Sequence, residues 1–141
     1  SAFGATGRIA DYICMDGTVP LSQLSYVLKR TDEIVKGFGL RVANVFHAGD
    51  GNMHPLILFN ANDSDEAAKA EAAGNEILKL CVDAGGCLTG EHGVGIEKRD
   101  LMRHQYGKQD LDQQMAVRAA FDPQWLLNPS KVFPLDGRPA I

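Results

Sequence analysis

Polar and apolar positions change their period several times along the chain, and each change marks a predicted element. Leu21, Leu24, Val27, Leu28, Thr31, Ile34, Val35 and Phe38 follow one another in steps that return to one helix face. Lys29, Arg30, Asp32, Glu33 and Lys36 fall largely opposite, so residues 21–38 are predicted to form an amphipathic helix. Gly37 and Gly39 supply its stop. A second helix is predicted from the capping oxygens of Asn62, Asp63 and Ser64 to about residue 84. Its buried face is expected at Ala67, Ala70, Ala73, Ile77, Leu80 and Cys81, and Gly85-Gly86 ends it. Shorter β-prone runs predict strands at residues 8–15, 40–46, 55–59 and 87–89. Asp16-Gly17 reads as the turn that closes the first, and Asp50-Gly51 as a hairpin signal between the second and third.

Residues 96–106 and 111–121 look helical, and residues 122–141, with Pro123, Pro129, Pro134 and Pro139, look irregular. The order is β-α-β-β-α-β followed by two helices. That predicts an α+β fold of the ferredoxin-like type, an antiparallel sheet with helices on one face. Residues 1–121 are expected to form this domain, with residues 122–141 as a tail laid over a surface.

Composition narrows the function without naming it. The chain has 141 residues, 45% of them hydrophobic and 23% charged, which suits one domain with a real core. A net charge of −4 argues against nucleic acid and acidic membrane surfaces as partners. No apolar run approaches the roughly 20 residues that span a bilayer, and no signal peptide opens the chain. Cys14, Cys81 and Cys87 form no C-x-x-C pair and read as reduced thiols, which points to a cytoplasmic setting. The chain opens on Ser1-Ala2 without Met and is read as a piece of something longer.

Candidate chemistry sits in two glycine-flanked clusters, His47-Ala48-Gly49-Asp50-Gly51-Asn52-Met53-His54 and Gly90-Glu91-His92-Gly93-Val94-Gly95. If His47 ends one strand and His54 begins its antiparallel neighbour, directly opposed Cβ atoms stand roughly 4.5–5.5 Å apart. Two imidazoles at that spacing can converge on one divalent ion, with Glu91 arriving from the loop after the last strand. Open coordination positions would remain, and His92 could serve as a base. Asp50 and Asn52 read as turn residues bonded to local backbone, and His104 as an ordinary surface histidine. The spacing Gly90-x-x-Gly93-x-Gly95 is neither a dinucleotide fingerprint nor a P-loop. On the residues alone a catalytic metal site, a structural metal site in an assembly module and a metal-dependent hydrolase all remain open.

Three ordered motifs, residues 47–55 (HAGDGNMHP), residues 90–95 (GEHGVG) and the tail 121–132 with Leu127-Asn128-Pro129-Ser130-Lys131-Val132, resemble one known family. They are similar to FAD-linked oxidases of the vanillyl-alcohol oxidase type, most like the glycolate oxidase flavin subunit and D-lactate dehydrogenases. The resemblance implies the C-terminal cap or substrate domain of an FAD-dependent 2-hydroxy acid oxidoreductase, with the FAD-binding domain upstream. It implies His47, His54 and Glu91 as ligands of a divalent metal (zinc, iron or manganese), His92 as general base, and Asn128 and Lys131 beside the flavin. Implied partners are a small 2-hydroxy acid, the FAD-binding domain and an iron–sulfur electron-transfer subunit, through which the protein would touch the inner membrane. Leu56 stands where relatives acting on 2-hydroxyglutarate carry Asn, which leans the substrate toward glycolate or lactate. Ser130 stands where the family more often has Gly, at a tight turn. The alternative to this reading is a stand-alone ferredoxin-like metal-binding or assembly module without catalysis.

Overall fold

The computed structural model describes residues 2–47 and 49–135, so the readings for Ala48 and for residues 136–141 lie outside the described residues. The chain divides into two compact units, Ser1–His92 and Gly93–Ile141.

The first unit is built on an antiparallel sheet whose centre is β4 (Asn52–Phe59). On one side lies β3 (Arg41–His47), and on the other lie β1 (Asp11–Cys14) and β2 (Gly17–Thr18). The expected first strand is shorter than residues 8–15, and a short helix α1 (Ala2–Thr6) that the pattern does not announce precedes it. Asp16-Gly17 does not end the strand. Cys14 opposes Leu56 and Gly17 opposes Met53, so β1 and β2 keep a single register along β4. The break between them has a simple cause. The Met15 N–H donates to the Pro55 carbonyl at 3.1 Å, and proline has no N–H to return.

Helix α2 (Leu24–Gly37) follows a 3-10 turn at Leu21–Gln23 and buries Val27, Thr31 and Val35. Helix α3 (Ser64–Asp83) is capped by the Asp63 carboxylate, which accepts the N–H groups of Asp65 at 2.9 Å and Glu66 at 3.3 Å. Its buried face is Ala70, Ala73, Gly74, Ile77, Leu78 and Cys81, with Leu78 rather than Leu80 turned fully inward. The small residues on this face allow close approach to the sheet. A Cβ on Gly74 would stand 2.7 Å from Met15 Sδ, and one on Gly17 would stand 2.6 Å from Cys81 Sγ. Met53 and Ile57 of β4 and Ile77 of α3 are fully enclosed in this unit, as are Val27 and Val35 of α2. Each such side chain contributes about 1.5–3 kcal/mol through burial.

The expected fourth strand shrinks to one antiparallel bridge, Thr18 with Cys87, closed by two N–H···O bonds of 3.1 Å each. The open antiparallel four-stranded sheet is made of β1 to β4, with this bridge beside β2, and with its helices it is the expected α+β fold. All three cysteines remain thiols.

In the second unit the expected helix over residues 96–106 is only a 3-10 turn at Arg99–Leu101 and the single turn α4 (Met102–Gln105). Helix α5 (Lys108–Phe121) starts earlier than expected, because Gly107 and Asp110 cap it; the Gly107 N–H donates to Asp110 Oδ2 at 3.1 Å. Residues 122–135 carry neither helix nor strand, as the prolines suggest. Among the described residues no helix is long and apolar enough to cross a membrane.

Candidate functional site

Strand alternation sorts the first unit's chemistry onto one side of the sheet. Cys14 and Thr18 from the edge, His54 and Asn52 from β4, and Val45 and His47 from β3 occupy paired positions of one face. The continuous register places Asp16 on the same face, opposite His54. Met15, Gly17, Met53 and Ile57 fall on the other face, which packs against α3 through the Gly17–Cys81 and Gly74–Met15 approaches. The polar set therefore lies on the side of the sheet away from this helix.

His47 and His54 are brought together, although not as directly opposed residues. Asn52 and Met53 join β4, which leaves residues 48–51 as the connection, and His47 pairs with Asn52 while His54 pairs with Val45. The two imidazoles are diagonal neighbours, their ring centroids 5.5 Å apart, which is within reach for side chains of this length. Gly51 is required at the turn. Its φ is +69°, and a Cβ there would stand 2.2 Å from the Val19 carbonyl oxygen.

The loop carrying Glu91 and His92 is held from beneath by Asp16. Its carboxylate is completely buried and accepts the Thr89 hydroxyl at 2.5 Å and the N–H groups of Gly90 at 3.1 Å, Glu91 at 3.2 Å and His92 at 2.8 Å. The Gly90 N–H also donates to the Asp16 main-chain carbonyl at 2.8 Å, and beyond it the Glu91 and His92 N–H groups curl over the side chain. A Cβ on Gly90 would stand 2.7 Å from the Asn52 carboxamide, so only glycine lets the loop pass so close.

The outcome is a convergence of donor atoms on Glu91 Oε1. His54 Nε2 lies 2.9 Å away, His92 Nε2 3.7 Å and His47 Nε2 4.0 Å. Ligands bound at about 2.0–2.2 Å to one tetrahedral ion stand roughly 3.3–3.6 Å from one another. These separations bracket that value, and the donor set of imidazole and carboxylate suits zinc, iron or manganese. His54 is the anchor, at 3% exposure, whereas the side chains of His47, Glu91 and His92 are each about half exposed or more. His92 is nearer Glu91 than His47 is, and potential ligand atoms of Asp16, His54, Glu91 and His92 all lie within 4.8 Å of one another.

Three neighbours of the cluster were not legible as site residues. Asp16 is read from sequence as a turn residue. Cys14 is read as one of three thiols, yet its Sγ lies 3.6 Å from His54 Nδ1, so the ring nitrogen turned away from Glu91 faces a thiol. Asn52 is a buried strand residue rather than a turn residue, and its Oδ1 has no hydrogen-bond partner among the described residues. It lines a cavity of about 340 Å³ together with Thr18, His47, Asp50, Gly90 and Glu91. Asp50 is a turn residue as expected, its N–H donating to the His47 carbonyl at 2.9 Å. His104 lies exposed in α4.

Asn128 and Lys131 belong to the second unit, in the irregular segment after α5. Asn128 is exposed, and Lys131 is half-buried with its Nζ donating to the Pro129 carbonyl at 3.3 Å. Lys131 borders an apolar cavity of about 590 Å³ with Met115, Trp125 and Phe133. Four residues here adopt left-handed backbone: Trp125 (φ 56°), Asn128 (43°), Ser130 (61°) and Val132 (72°). Asp122 pins the segment by accepting the N–H groups of Leu126 at 3.0 Å and Leu127 at 2.8 Å. Burial pushes its carboxyl up, but those two N–H groups and Arg118 outweigh burial and hold it below the ordinary carboxylate value.

Known proteins share the sequence that builds these units. The family described as FAD linked oxidases, C-terminal domain, matches residues 1–132. The glycolate oxidase subunit GlcD of Escherichia coli strain K12 is 54% identical over 135 residues, covering 95% of this chain and 27% of that relative. GlcD of Bacillus subtilis is 36% identical, covering all of this chain and 30% of the relative. The mitochondrial D-lactate dehydrogenase [cytochrome] of Kluyveromyces lactis is 38% identical over 121 residues, covering 86% of this chain and 20% of that relative. The chain thus spans less than a third of these relatives' length. With its sheet, its two motif-bearing loops and the motif of its tail up to Val132 inside the matched region, the chain belongs to the FAD linked oxidase C-terminal domain family.

Proposed function

We propose that this chain is the substrate-handling C-terminal part of an FAD-dependent oxidoreductase acting on a small 2-hydroxy acid, glycolate or D-lactate. The observation that carries the reading is the convergence of three imidazole Nε2 atoms on Glu91 Oε1 within 4.0 Å. The names of the relatives, glycolate oxidase subunit and D-lactate dehydrogenase, support the substrate class.

In this reading His47, His54 and Glu91 hold a divalent metal, zinc, iron or manganese. Such an ion, when bound, supplies Lewis acidity to a hydroxyl and a carboxylate oxygen and lowers the hydroxyl's pKa. His54, locked in the sheet, fixes the centre, while the exposed flanks of His47 and Glu91 leave room for two substrate oxygens. His92 takes the hydroxyl proton on a ring nitrogen, the part of a general base. Asn128 and Lys131, in the tail from residue 122, would lie beside the flavin, which when bound would supply a hydride acceptor. An FAD-binding domain upstream and an iron–sulfur electron-transfer subunit complete the assembly, and such a subunit would bring the protein to the inner membrane.

The test is anaerobic mixing of substrate with the full-length protein that carries this chain behind its FAD-binding domain. Glycolate or D-lactate is expected to bleach the flavin, and His92→Gln to slow bleaching about 100-fold or more with little change in substrate affinity. Bleaching that is indifferent to His92→Gln would remove the base from this reading. The isolated 141-residue chain is expected to purify without flavin absorbance.

A further inference from the structure

We infer that Asp16 is the positioning residue of this site: its buried carboxylate fixes where the following loop presents Glu91 and His92. The inference rests on the reading of those two residues as ligand and base. Donors from four consecutive residues gather on one carboxylate oxygen: the Thr89 hydroxyl and the Gly90, Glu91 and His92 N–H groups reach Oδ2, the Glu91 N–H also reaches Oδ1, and the Gly90 N–H is shared with the Asp16 main-chain carbonyl at 2.8 Å. These donors lie 73 to 76 residues from Asp16 in sequence, so no local turn holds the loop in this shape. Charge-assisted bonds of this kind are roughly twice as strong as neutral ones.

Position distinguishes Asp16 from a carboxylate that merely stabilises a loop. It occupies the register position opposite His54, on the same face of the sheet, where the ladder is interrupted at Pro55. The carboxylate therefore ties the half-exposed partners of the cluster, Glu91 and His92, to the buried one, His54. Asparagine with its carbonyl oxygen in the place of Oδ2 would remove the charge from these bonds, and its NH2 group in the place of Oδ1 would face the Glu91 N–H, which cannot bond it. The loop would be pushed off by that mismatch, and the separation between Glu91 Oε1 and His54 Nε2, now 2.9 Å, would open.

The experiment is a double-mutant cycle on the 141-residue chain, read by zinc competition with a chromophoric chelator and by NMR. Asp16→Asn and Glu91→Ala are each expected to weaken zinc binding by about 10–100-fold. The double variant is expected to bind no more weakly than Glu91→Ala alone, because Asp16 acts through Glu91. Additive losses would overturn the inference, since they would mean that Asp16 acts through charge or stability. In parallel, the contact between the His54 and His92 rings, whose centroids are 5.1 Å apart, is expected in the parent and lost in Asp16→Asn while the cross-strand contacts of β3 and β4 persist. Persistence of the ring contact overturns the inference as well. Should Asp16→Asn fail to fold, Thr89→Val removes one donor without touching the charge. It is expected to weaken zinc about 3–10-fold, and unchanged affinity contradicts the role. A parent that does not bind zinc defeats the metal reading alone, and the ring contact still decides the role of Asp16.

Discussion

Two buried aspartates organise the two irregular stretches of this chain, and they do so over very different distances in sequence. Asp122 accepts N–H groups four and five residues onward and pairs with Arg118 four residues back at 3.4 Å. Asp16 accepts donors 73 to 76 residues away. The first is a local device that shapes a tail directly after a helix. The second needs the sheet to be built first, because only the pairing of β1 and β2 with β4 brings Asp16 beneath residues 89–92. A local cap can form with its own segment, whereas a long-range one makes the site a product of the whole first unit.

The largest expected effect breaks the long-range side of this contrast. A Cβ on Gly86 would stand 1.8 Å from the Thr18 carbonyl oxygen, a backbone atom that cannot yield cheaply. Gly86→Ala is expected to cost about 3 kcal/mol and to open the Thr18–Cys87 bridge, seen as loss of amide protection at Cys87 by hydrogen exchange. Emission from Trp125 should stay as in the parent. A change at Trp125 equal to that at Cys87 would erase the distinction between the two devices.

Acid should act on the local side. The folded carboxyl of Asp122 is held below its ordinary value, so its contribution is complete above the unfolded value near about 3.9 and is lost as pH falls through the lower folded value. Emission from Trp125, the single tryptophan, is expected to hold steady from neutrality to about pH 4 and to shift only below it. Arg118 stands 4.5 Å over that ring and ties it to Asp122, which makes it a close reporter. Asp122→Asn should show the acid form of the spectrum already at neutral pH.

The smallest effect concerns backbone strain. Ser130 holds a φ of 61°, a left-handed value that suits glycine. Ser130→Gly is expected to stabilise the second unit by about 0.5–1 kcal/mol, read as a rise in the denaturant midpoint of Trp125 emission. A fall would mean that the Ser130 side chain supports the turn.

The parts of this molecule that were legible in the sequence are those with local causes. The helical stripe from Val27 to Val35, the Asp63 cap and the Gly85-Gly86 stop each follow from neighbours in the chain, and the β-α-β-β-α-β order follows from them. Register was not legible, because it depends on how many residues the hairpin keeps for itself. Asn52 and Met53 went to the strand, which moved His47 two pairs beyond His54. Asp16 was hidden for a related reason. Asp-Gly is a good turn signal, but an edge position beside a long central strand outweighs it, and the carboxylate then finds its partners far along the chain. Cys14 next to His54 and Asn52 beneath Gly90 could not be read before the sheet was known. The residue types of the cluster, by contrast, were plain in the sequence as histidines and a glutamate among glycines.

The central claim is that His47, His54 and Glu91 act as one ion-binding unit. The most direct measurement is zinc titration of the purified chain and its single alanine variants, with His104→Ala as control. One ion per chain is expected in the parent and the control, with a loss of about 100-fold or more for His54→Ala and Glu91→Ala and a smaller loss for the exposed His47→Ala. Variants that all bind zinc as the parent does would contradict the claim.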